Sequence, residues 1–250
     1  MPCPGTEIPP FARKTLWVDQ WTQVQSRFPM MSSPETLLPS PLILPLGDQA
    51  LLVRFGDALS EAANRAALAF SRSVEAAGLP GVVETVPNLV SVLLRYDPLA
   101  TDFDHLAGEV RLLFGKPEAE PETTRQHGVA VRFDGDDLAE VAASLRLTPA
   151  KFIAAHNSAP LRVLATGFAP GFIYCGFHLD ELQAPRRTAV RPLVPAGTVL
   201  FAAGQTAIAS TPIPTGWHVI GHTDFRNFDA AAEPPTRIAA GDEIVFEVLA

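Results

Sequence analysis

Residues 194–210 read VPAGTVLFAAGQTAIAS, and this stretch decides the fold of the second half of the chain. Two apolar runs of strand length, Val199–Ala203 and Ala207–Ser210, each follow a glycine-containing turn. Gln205 and Thr206 form a polar pair between the runs, which we interpret as part of the turn. Short runs of the same kind recur at residues 161–166, 217–220 and 243–248. Before them, a helix to about His156 is predicted to begin with Thr148 as N-cap and Pro149 at its first position. Closely spaced short strands between Gly and Pro turns are typical of a β-barrel or a β-sandwich.

A different pattern precedes this region. Residues 41–116 combine short strands with two amphipathic helices. The first helix is predicted to begin after Ser60, a favourable N-cap, and to end before Gly78. The second is predicted over residues 102–114. Two helices packed on one small antiparallel sheet form an α+β domain.

Proline-rich and polar segments of the sequence indicate the domain boundaries. Prolines crowd the first residues, which show no sustained hydrophobic period, so we expect residues 1–40 to form a disordered extension. Residues 117–126, PEAEPETTRQ, are polar and predict a linker between residues 41–116 and the β-rich domain at 127–250.

The composition excludes several classes of protein. Hydrophobic residues make up 47% of the chain and charged residues 18%, which is typical of a folded protein. The 24 prolines disfavour a helical bundle, and the net charge of −8 disfavours a nucleic-acid binder. Cys3 and Cys175 lie far apart and form no disulfide framework, and no apolar run approaches the roughly 18 residues of a membrane span. We expect a cytoplasmic protein.

The common nucleotide and metal motifs are missing from the sequence. It contains no GxxxxGK[ST] loop, no GxGxxG, no GxSxG and no HExxH. His218 and His222 are four residues apart, but the flanking Gly and Pro residues favour a strand, in which this spacing corresponds to about 13 Å. We therefore predict no metal site.

The segment GFAPGFIY at residues 167–174 holds three aromatic residues between two glycines and a proline. This composition predicts a rigid loop rather than a regular helix or a central strand. Such a loop could present Phe168, Phe172 and Tyr174 as an apolar wall for a ligand. An aromatic corner that closes one end of a barrel would have the same sequence.

Polar residues further along the chain are candidates for ligand contacts. Arg186 and Arg187 could bind a carboxylate or phosphate in a bidentate manner, or could lie in a solvated turn. Gln205 could bind an amide through its donor and its acceptor, or could satisfy the backbone of a turn. Trp217 is more typical of a core position, and we interpret His156 as a helix C-cap.

Together these segments resemble one protein family. The matching pieces are PLGDQALLVRFG at 45–56, GFAPGF at 167–172, APRRTAVRPLVPAGTV at 184–199, AGQTAIAS at 203–210 and PTGWHVIGHT at 214–223. In this order they are similar to the B subunit of 5-oxoprolinase, also called allophanate hydrolase subunit 1 or the KipI family. The resemblance implies a ferredoxin-like α+β domain followed by a cyclophilin-like β-barrel.

The resemblance also implies an activity and partners. The family acts in the ATP-dependent opening of 5-oxoproline to glutamate, together with a homologous C subunit (allophanate hydrolase subunit 2, or KipA-like) and, in some systems, a LamB/YcsF-type A subunit. Two alternatives come with it: a KipI-type inhibitor of a histidine kinase, and one component of an allophanate hydrolase or urea carboxylase system that transfers carboxyl groups.

A small amide or lactam substrate gives the candidate residues their expected roles. We expect Arg186 and Arg187 to hold a carboxylate or phosphate, and Gln205 and Thr206 to orient the amide. The other predicted substrate contacts are aromatic residues or glycine, namely Phe168, Gly171, Phe172, Tyr174 and Trp217.

Overall fold

The structure is a computed structural model, and it describes residues 37–115 and 124–249. A four-stranded antiparallel sheet with the order β1-β2-β4-β3 comes first. Its strands are β1 (Leu37–Pro45), β2 (Ala50–Gly56), β3 (Val82–Pro87) and β4 (Ser91–Tyr96).

Two helices cover one face of this sheet. Helix α1 (Glu61–Ala77) begins where Ser60 Oγ accepts a hydrogen bond from the Ala63 amide, and it ends at Gly78, which is left-handed with φ 56°. Helix α2 is Phe103–Leu113. Both predicted helices are confirmed. Their apolar faces pack on the inward side chains of the strands, including Leu51, Val53, Val92 and Leu94.

Strand β1 begins at Leu37, inside the predicted extension of residues 1–40. Prolines are tolerated there because β1 is an edge strand, paired only with β2 among the described residues, so one side of its backbone needs no N–H donor. The remainder of that extension, residues 1–36, lies outside the described residues. So does most of the predicted linker, and β5 already begins at Gln126.

The second sheet has seven strands in the order β12-β9-β10-β7-β6-β13-β5 and is curled into a half-barrel. The mixed α+β class is therefore confirmed. Its strands are β5 (Gln126–Val131), β6 (Leu161–Thr166), β7 (Ile173–Gly176), β9 (Thr198–Ala202), β10 (Gln205–Ile208), β12 (His218–His222) and β13 (Glu243–Val248). Strand β13 lies between β5, with which it is parallel, and β6, with which it is antiparallel. Two further strands, β8 (Arg191–Val194) and β11 (Ile213–Thr215), pair with each other.

Two short helices pack inside the curl of the large sheet. They are α3 (Leu138–Ser144) and α4 (Pro149–His156), and α4 has the predicted Thr148 N-cap and Pro149 in its first turn. The core between helices and sheet is built from fully buried apolar residues, among them Val141, Phe152, Val163, Phe201 and Ile220.

Two predicted local structures differ from those observed. Gln205 and Thr206 do not lie in a turn, because Ala203 and Gly204 form the turn with φ of 53° and 69° and β10 starts directly after them. Tyr174 belongs to the central strand β7 rather than to the loop, which ends at Phe172. The predicted rigid loop is therefore shorter than the GFAPGFIY motif.

One buried amide joins the two sheets. Asn64 of α1 is fully buried, and its Nδ2 donates to the carbonyl oxygens of Leu89 and Leu164, both at 2.8 Å. Leu89 lies in the turn between β3 and β4, and Leu164 lies in β6, so this side chain ties the hairpin of the first sheet to the second. None of the helices in the described part of the chain is long and apolar enough to cross a membrane.

Candidate functional site

Side chains of the seven-stranded sheet alternate between its two faces. The inner face, which packs on α3 and α4, carries residues such as Ile173, Cys175, Phe201 and Ile208. The opposite face, which we call the outer face, carries Tyr174, Leu200, Ala207 and Val219. These four outer residues are cross-strand neighbours in one row.

A second row on the outer face contains Gln205, which is only 8% exposed. Gln205 lies opposite Ala202, and Gly176 has no side chain to fill the neighbouring position. A Cβ atom at Gly176 would lie 3.0 Å from Leu164 Cδ1 and 3.8 Å from Gln205 Cγ. Glycine at position 176 therefore lets Leu164 pack closely beside Gln205.

Four aromatic side chains follow one another along this face, and we call them the aromatic ladder. The ring centroids are 5.4 Å apart for Phe168 and Phe172, 4.8 Å for Phe172 and Tyr174, and 6.1 Å for Tyr174 and Trp217. The last three residues are buried, whereas Phe168 is 52% exposed. The aromatic ladder thus stabilises the outer face, and only its Phe168 end is exposed to solvent.

Arg186 lies at the other end of the ladder. Its guanidinium carbon is 5.6 Å from the centre of the Trp217 ring, which is a cation–π arrangement. The side chain is exposed overall, but partial burial of the guanidinium lowers the pKa of Arg186. Burial also raises the pKa of Tyr174. The positive charge of Arg186 has a smaller effect that lowers this pKa, so the phenol of Tyr174 keeps its proton. The predicted residues Phe168, Phe172, Tyr174, Arg186 and Trp217 are thus contiguous.

Arg187 has a different environment from its neighbour. Its Nη1 and Arg191 Nη2 donate to the same oxygen of Asp137, at 2.5 and 2.6 Å, and the other oxygen accepts from the Val219 amide at 2.8 Å. Asp137 is only 2% exposed. Burial would raise the pKa of Asp137, but the bonds from Arg191 and Val219 and the two positive charges lower it below its usual value. Arg187 therefore holds a carboxylate that belongs to the protein itself.

Thr206 points to the inner face, away from Gln205. It is fully buried, and its Oγ1 lies 2.8 Å from Nε2 of His156 and 2.8 Å from Nε2 of His178. His156 Nδ1 is 2.6 Å from Asn157 Oδ1. Because a threonine hydroxyl has one proton, it donates to one histidine and accepts from the other. The bond to Asn157 makes His156 the acceptor and His178 the donor.

Burial keeps both of these histidines neutral. It lowers the pKa of His156 to about 4, against a smaller opposing effect of the bond to Asn157. Burial and the proximity of His156 lower the pKa of His178 as well. The ring centroids are 4.5 Å apart, so a proton on either ring would be unfavourable for the other.

The structure thus separates the predicted site residues into three places. The ladder residues, Arg186 and Gln205 share the outer face, whereas Arg187 and Thr206 bind partners inside the protein. Gly171 lies in the loop, where φ is 80° and a Cβ atom would come within 2.7 Å of Phe228 Cβ. The roles of these residues in substrate binding stay predictions.

The histidine pair was missed in the sequence. The only signal was the position of His156 at the end of α4, where we interpreted it as a cap; the helix does end there, with Asn157 as C-cap. His178 carried no local signal, because its partner Thr206 is 28 residues away. Among residues 37–115 and 124–249, no three His, Cys, Asp or Glu side chains are grouped to hold a metal ion.

Comparison with known proteins adds the family. Residues 41–238 match the family described as carboxyltransferase domain, subdomain C and D. The chain belongs to this family. It is 31% identical over 215 residues to the 5-oxoprolinase B subunit of Bacillus subtilis strain 168, a match that covers 80% of this chain and 90% of the relative.

Two further relatives with the same name extend this result. The protein of Escherichia coli O157:H7 is 36% identical over 173 residues, covering 67% of this chain and 78% of the relative. That of Haemophilus influenzae is 30% identical over 209 residues, covering 82% and 97%. The resemblance to the 5-oxoprolinase B subunit is therefore confirmed.

Solved structures show where else the fold occurs. The crystal structure of TTHA0988 matches with a TM-score of 0.72 and 36% identity, over 81% of this chain and 40% of that one. The chain thus spans about 40% of the length of TTHA0988. The urea carboxylase of Kluyveromyces lactis matches with a TM-score of 0.68 over 88% of this chain and 23% of that one. At 15% identity this second likeness concerns the fold alone.

Proposed function

We propose that the protein is the B subunit of a 5-oxoprolinase, which opens the lactam ring of 5-oxoproline to give glutamate. The observation that carries this proposal is the similarity of most of the chain to three proteins named as the B subunit of 5-oxoprolinase. The word subunit in those names supports a complex. We propose that a homologous C subunit is the direct partner and that a LamB/YcsF-type A subunit is a further one.

The outer face has the chemistry that a small cyclic substrate needs. Aromatic rings offer flat apolar contact, Gln205 offers an amide donor and acceptor, and Arg186 offers a positive charge at an exposed edge. 5-Oxoproline has a ring, a lactam and a carboxylate in the same molecule. We infer that Arg186 binds the carboxylate, because Arg187 already binds Asp137.

ATP is the expected co-substrate of the assembled enzyme. We assign none of the residues of this chain to it, and its site belongs to the complex in this proposal. A cyclophilin-like description of the second domain and a ferredoxin-like description of the first also remain proposals. The strand order β1-β2-β4-β3 with two helices on one face supports the latter.

Reconstitution tests the proposal. The full chain is combined with candidate partner subunits, and ATP hydrolysis is followed with and without 5-oxoproline. We expect hydrolysis that depends on 5-oxoproline and on all subunits. Replacing Arg186 by Gln should raise KM for 5-oxoproline about tenfold, since a hydrogen bond to a charged group is lost. Arg95→Gln, at an exposed position of the first sheet, is the matched control. Absence of 5-oxoproline-dependent turnover with every partner set would refute the proposal.

A second candidate is carboxyl transfer. It is supported by the family description, carboxyltransferase domain, and by the fold shared with urea carboxylase. This candidate predicts that the chain, with its partner, accepts a carboxyl group from carboxylated biotin and transfers it to a small amide such as urea. Following the loss of labelled carboxylate from a biotin carrier, with urea present, distinguishes it from 5-oxoprolinase activity.

A further inference from the structure

A pocket of about 200 Å³ lies next to the aromatic loop, at one end of the barrel core. The loop contributes Pro170 and Gly171, the end of β10 and the residues after it contribute Ile208 and Ser210, and the segment after β12 contributes Arg226 and Phe228. Apart from Gly171, no residue predicted to bind substrate lines this pocket. Its space is that of about seven water molecules, so only a small ligand fits.

The apolar walls of the pocket are held by close backbone packing. A Cβ atom at Gly171 would lie 2.7 Å from Phe228 Cβ and 3.0 Å from the Phe228 backbone nitrogen. The loop and the 225–228 segment therefore touch where only a glycine fits. The shape of the pocket depends on this contact rather than on long flexible side chains.

One hydroxyl in the pocket has no partner. Ser210 Oγ is buried, and no hydrogen-bonding group of the described residues reaches it. Leaving a buried hydroxyl without a partner costs about 1–3 kcal/mol, so such groups usually bind a water molecule or a ligand. Since Ser210 lines the pocket, a ligand there can complete its hydrogen bonding.

A positively charged side chain, Arg226, lines the same pocket. Arg226 Nη1 donates to the carbonyl oxygens of Phe225 at 3.0 Å and of Thr223 at 3.4 Å. Asp224 is near enough for the charge of Arg226 to lower its pKa, but among the described residues Asp224 forms its ion pair with Arg132. Gly197 gives this guanidinium its space, because a Cβ atom there would be 3.0 Å from Nη1. The charge is held in place by neutral carbonyl groups and stays available for an anion.

We propose that this pocket is a binding site for a small monocarboxylate with a compact apolar body. Arg226 binds the carboxylate of the ligand, and Ser210 donates a hydrogen bond to an oxygen atom outside that carboxylate. The apolar walls pack against the apolar body of the ligand. This site is separate from the aromatic ladder and from Arg186, and it does not depend on the reaction that the complex performs.

Titration of the isotopically labelled full chain by NMR tests the site. The probe is cyclopentanecarboxylate, and the uncharged control is cyclopentanol, which has the same ring. We expect cyclopentanecarboxylate to shift the amide signals of Gly171, Ser210 and Phe228 with a Kd of about 1 mM, as befits a ligand of eight heavy atoms. Arg226→Gln should weaken binding about tenfold.

Two further variants separate this site from its surroundings. Ser210→Ala should weaken binding of 5-oxoproline, a probe with an oxygen atom outside its carboxylate, while the Tm does not fall because the hydroxyl has no protein partner. Arg186→Gln should leave both probes unaffected at this pocket. Equal binding of cyclopentanol and cyclopentanecarboxylate, wild-type affinity in Arg226→Gln, or loss of the shifts in Arg186→Gln would each overturn the proposal. Because no turnover is measured, failure here differs from failure of the 5-oxoprolinase assay.

Discussion

Neighbouring residues of the same motif have different environments around the seven-stranded sheet. On the inner face Thr206 is sealed between two neutral histidines, and Arg187, in the segment between β7 and β8, is bound to the buried Asp137. On the outer face Gln205 is packed beside Gly176 and Leu164, and the guanidinium of Arg186 lies over the Trp217 ring. In each motif one residue binds a buried polar partner, and the residue before it faces the aromatic ladder side of the protein.

This difference gives the family motifs two functions. A GQT or PRR segment that matches between relatives does not identify a ligand contact at every position. Strand alternation sends Gln205 and Thr206 of β10 to opposite faces, whereas Arg186 and Arg187, which lie between β7 and β8, contact different partners. Stability measurements and activity measurements should therefore separate Thr206 from Gln205 and Arg187 from Arg186.

The largest expected effect is at the buried hydroxyl. Thr206→Val keeps the shape of the side chain but leaves a nitrogen of each histidine without its partner. We expect the free energy of unfolding to fall by about 3 kcal/mol, from two buried polar groups at about 1–3 kcal/mol each. Chemical denaturation measures it. Lys151→Ala, at an exposed position of α4, is the control and should change this free energy by less than about 0.5 kcal/mol.

Acid should destabilise the inner face to a similar extent. Burial lowers the pKa of His156 to about 4 in the folded protein, whereas the unfolded chain has the ordinary value of about 6.5. The unfolded state therefore binds a proton first as the pH falls. The stabilisation is complete above pH 6.5 and is lost between pH 6.5 and 4, by about 3 kcal/mol.

Denaturation at a series of pH values measures this loss. His156→Gln removes the titrating group, so the variant is less stable at neutral pH but depends less steeply on pH below 6.5. An equal pH dependence in the variant and in the wild-type protein would contradict the assignment to His156.

The two arginines give a smaller contrast. Arg187→Ala removes one of the two guanidinium partners of Asp137, which keeps Arg191 and the Val219 amide. We expect a loss of about 2 kcal/mol in the free energy of unfolding, less than for a fully broken buried pair. Arg186→Ala, matched in size and charge, should lose less than about 1 kcal/mol because its side chain is exposed. Equal losses of unfolding free energy in Arg187→Ala and Arg186→Ala would contradict the different roles assigned to the two arginines.

The smallest expected effect is at the contact between the sheets. Asn64→Ala removes two hydrogen bonds to buried carbonyl groups, those of Leu89 and Leu164. We expect a loss of about 1–2 kcal/mol, and faster amide exchange in the turn that contains Leu89. Glu75→Ala, at an exposed position of the same helix as Asn64, is the control and should change neither the free energy of unfolding by more than about 0.5 kcal/mol nor the amide exchange of the turn.

Signals that act over a few residues were read correctly in the sequence. Ser60, Gly78 and the Thr148–Pro149 pair predicted helix ends because caps depend on adjacent residues. Strands β6 and β13 have their predicted bounds, since apolar alternation is also local. The contiguity of Phe168, Phe172 and Tyr174 follows from their closeness in the chain.

Features that depend on distant partners could not be predicted. Gln205 and Thr206 were placed in a turn because nothing local showed that Ala203 would adopt a positive φ. The bond between Arg187 and Asp137 joins residues 50 positions apart, so the sequence alone left a ligand and a solvated turn as the alternatives. The unpartnered Ser210 hydroxyl, likewise, is visible only once the pocket is built.

The central place of β13 has a consequence for how the protein is made. Strand β13 lies between β5 and β6 in the sheet. Among the described residues, β5 pairs with no strand other than β13. Strand β13 begins 117 residues after β5, so the seven-stranded sheet cannot close until the ribosome has released β13. Until then β5 has an unpaired edge, which exposes the nascent chain to chaperones and to aggregation.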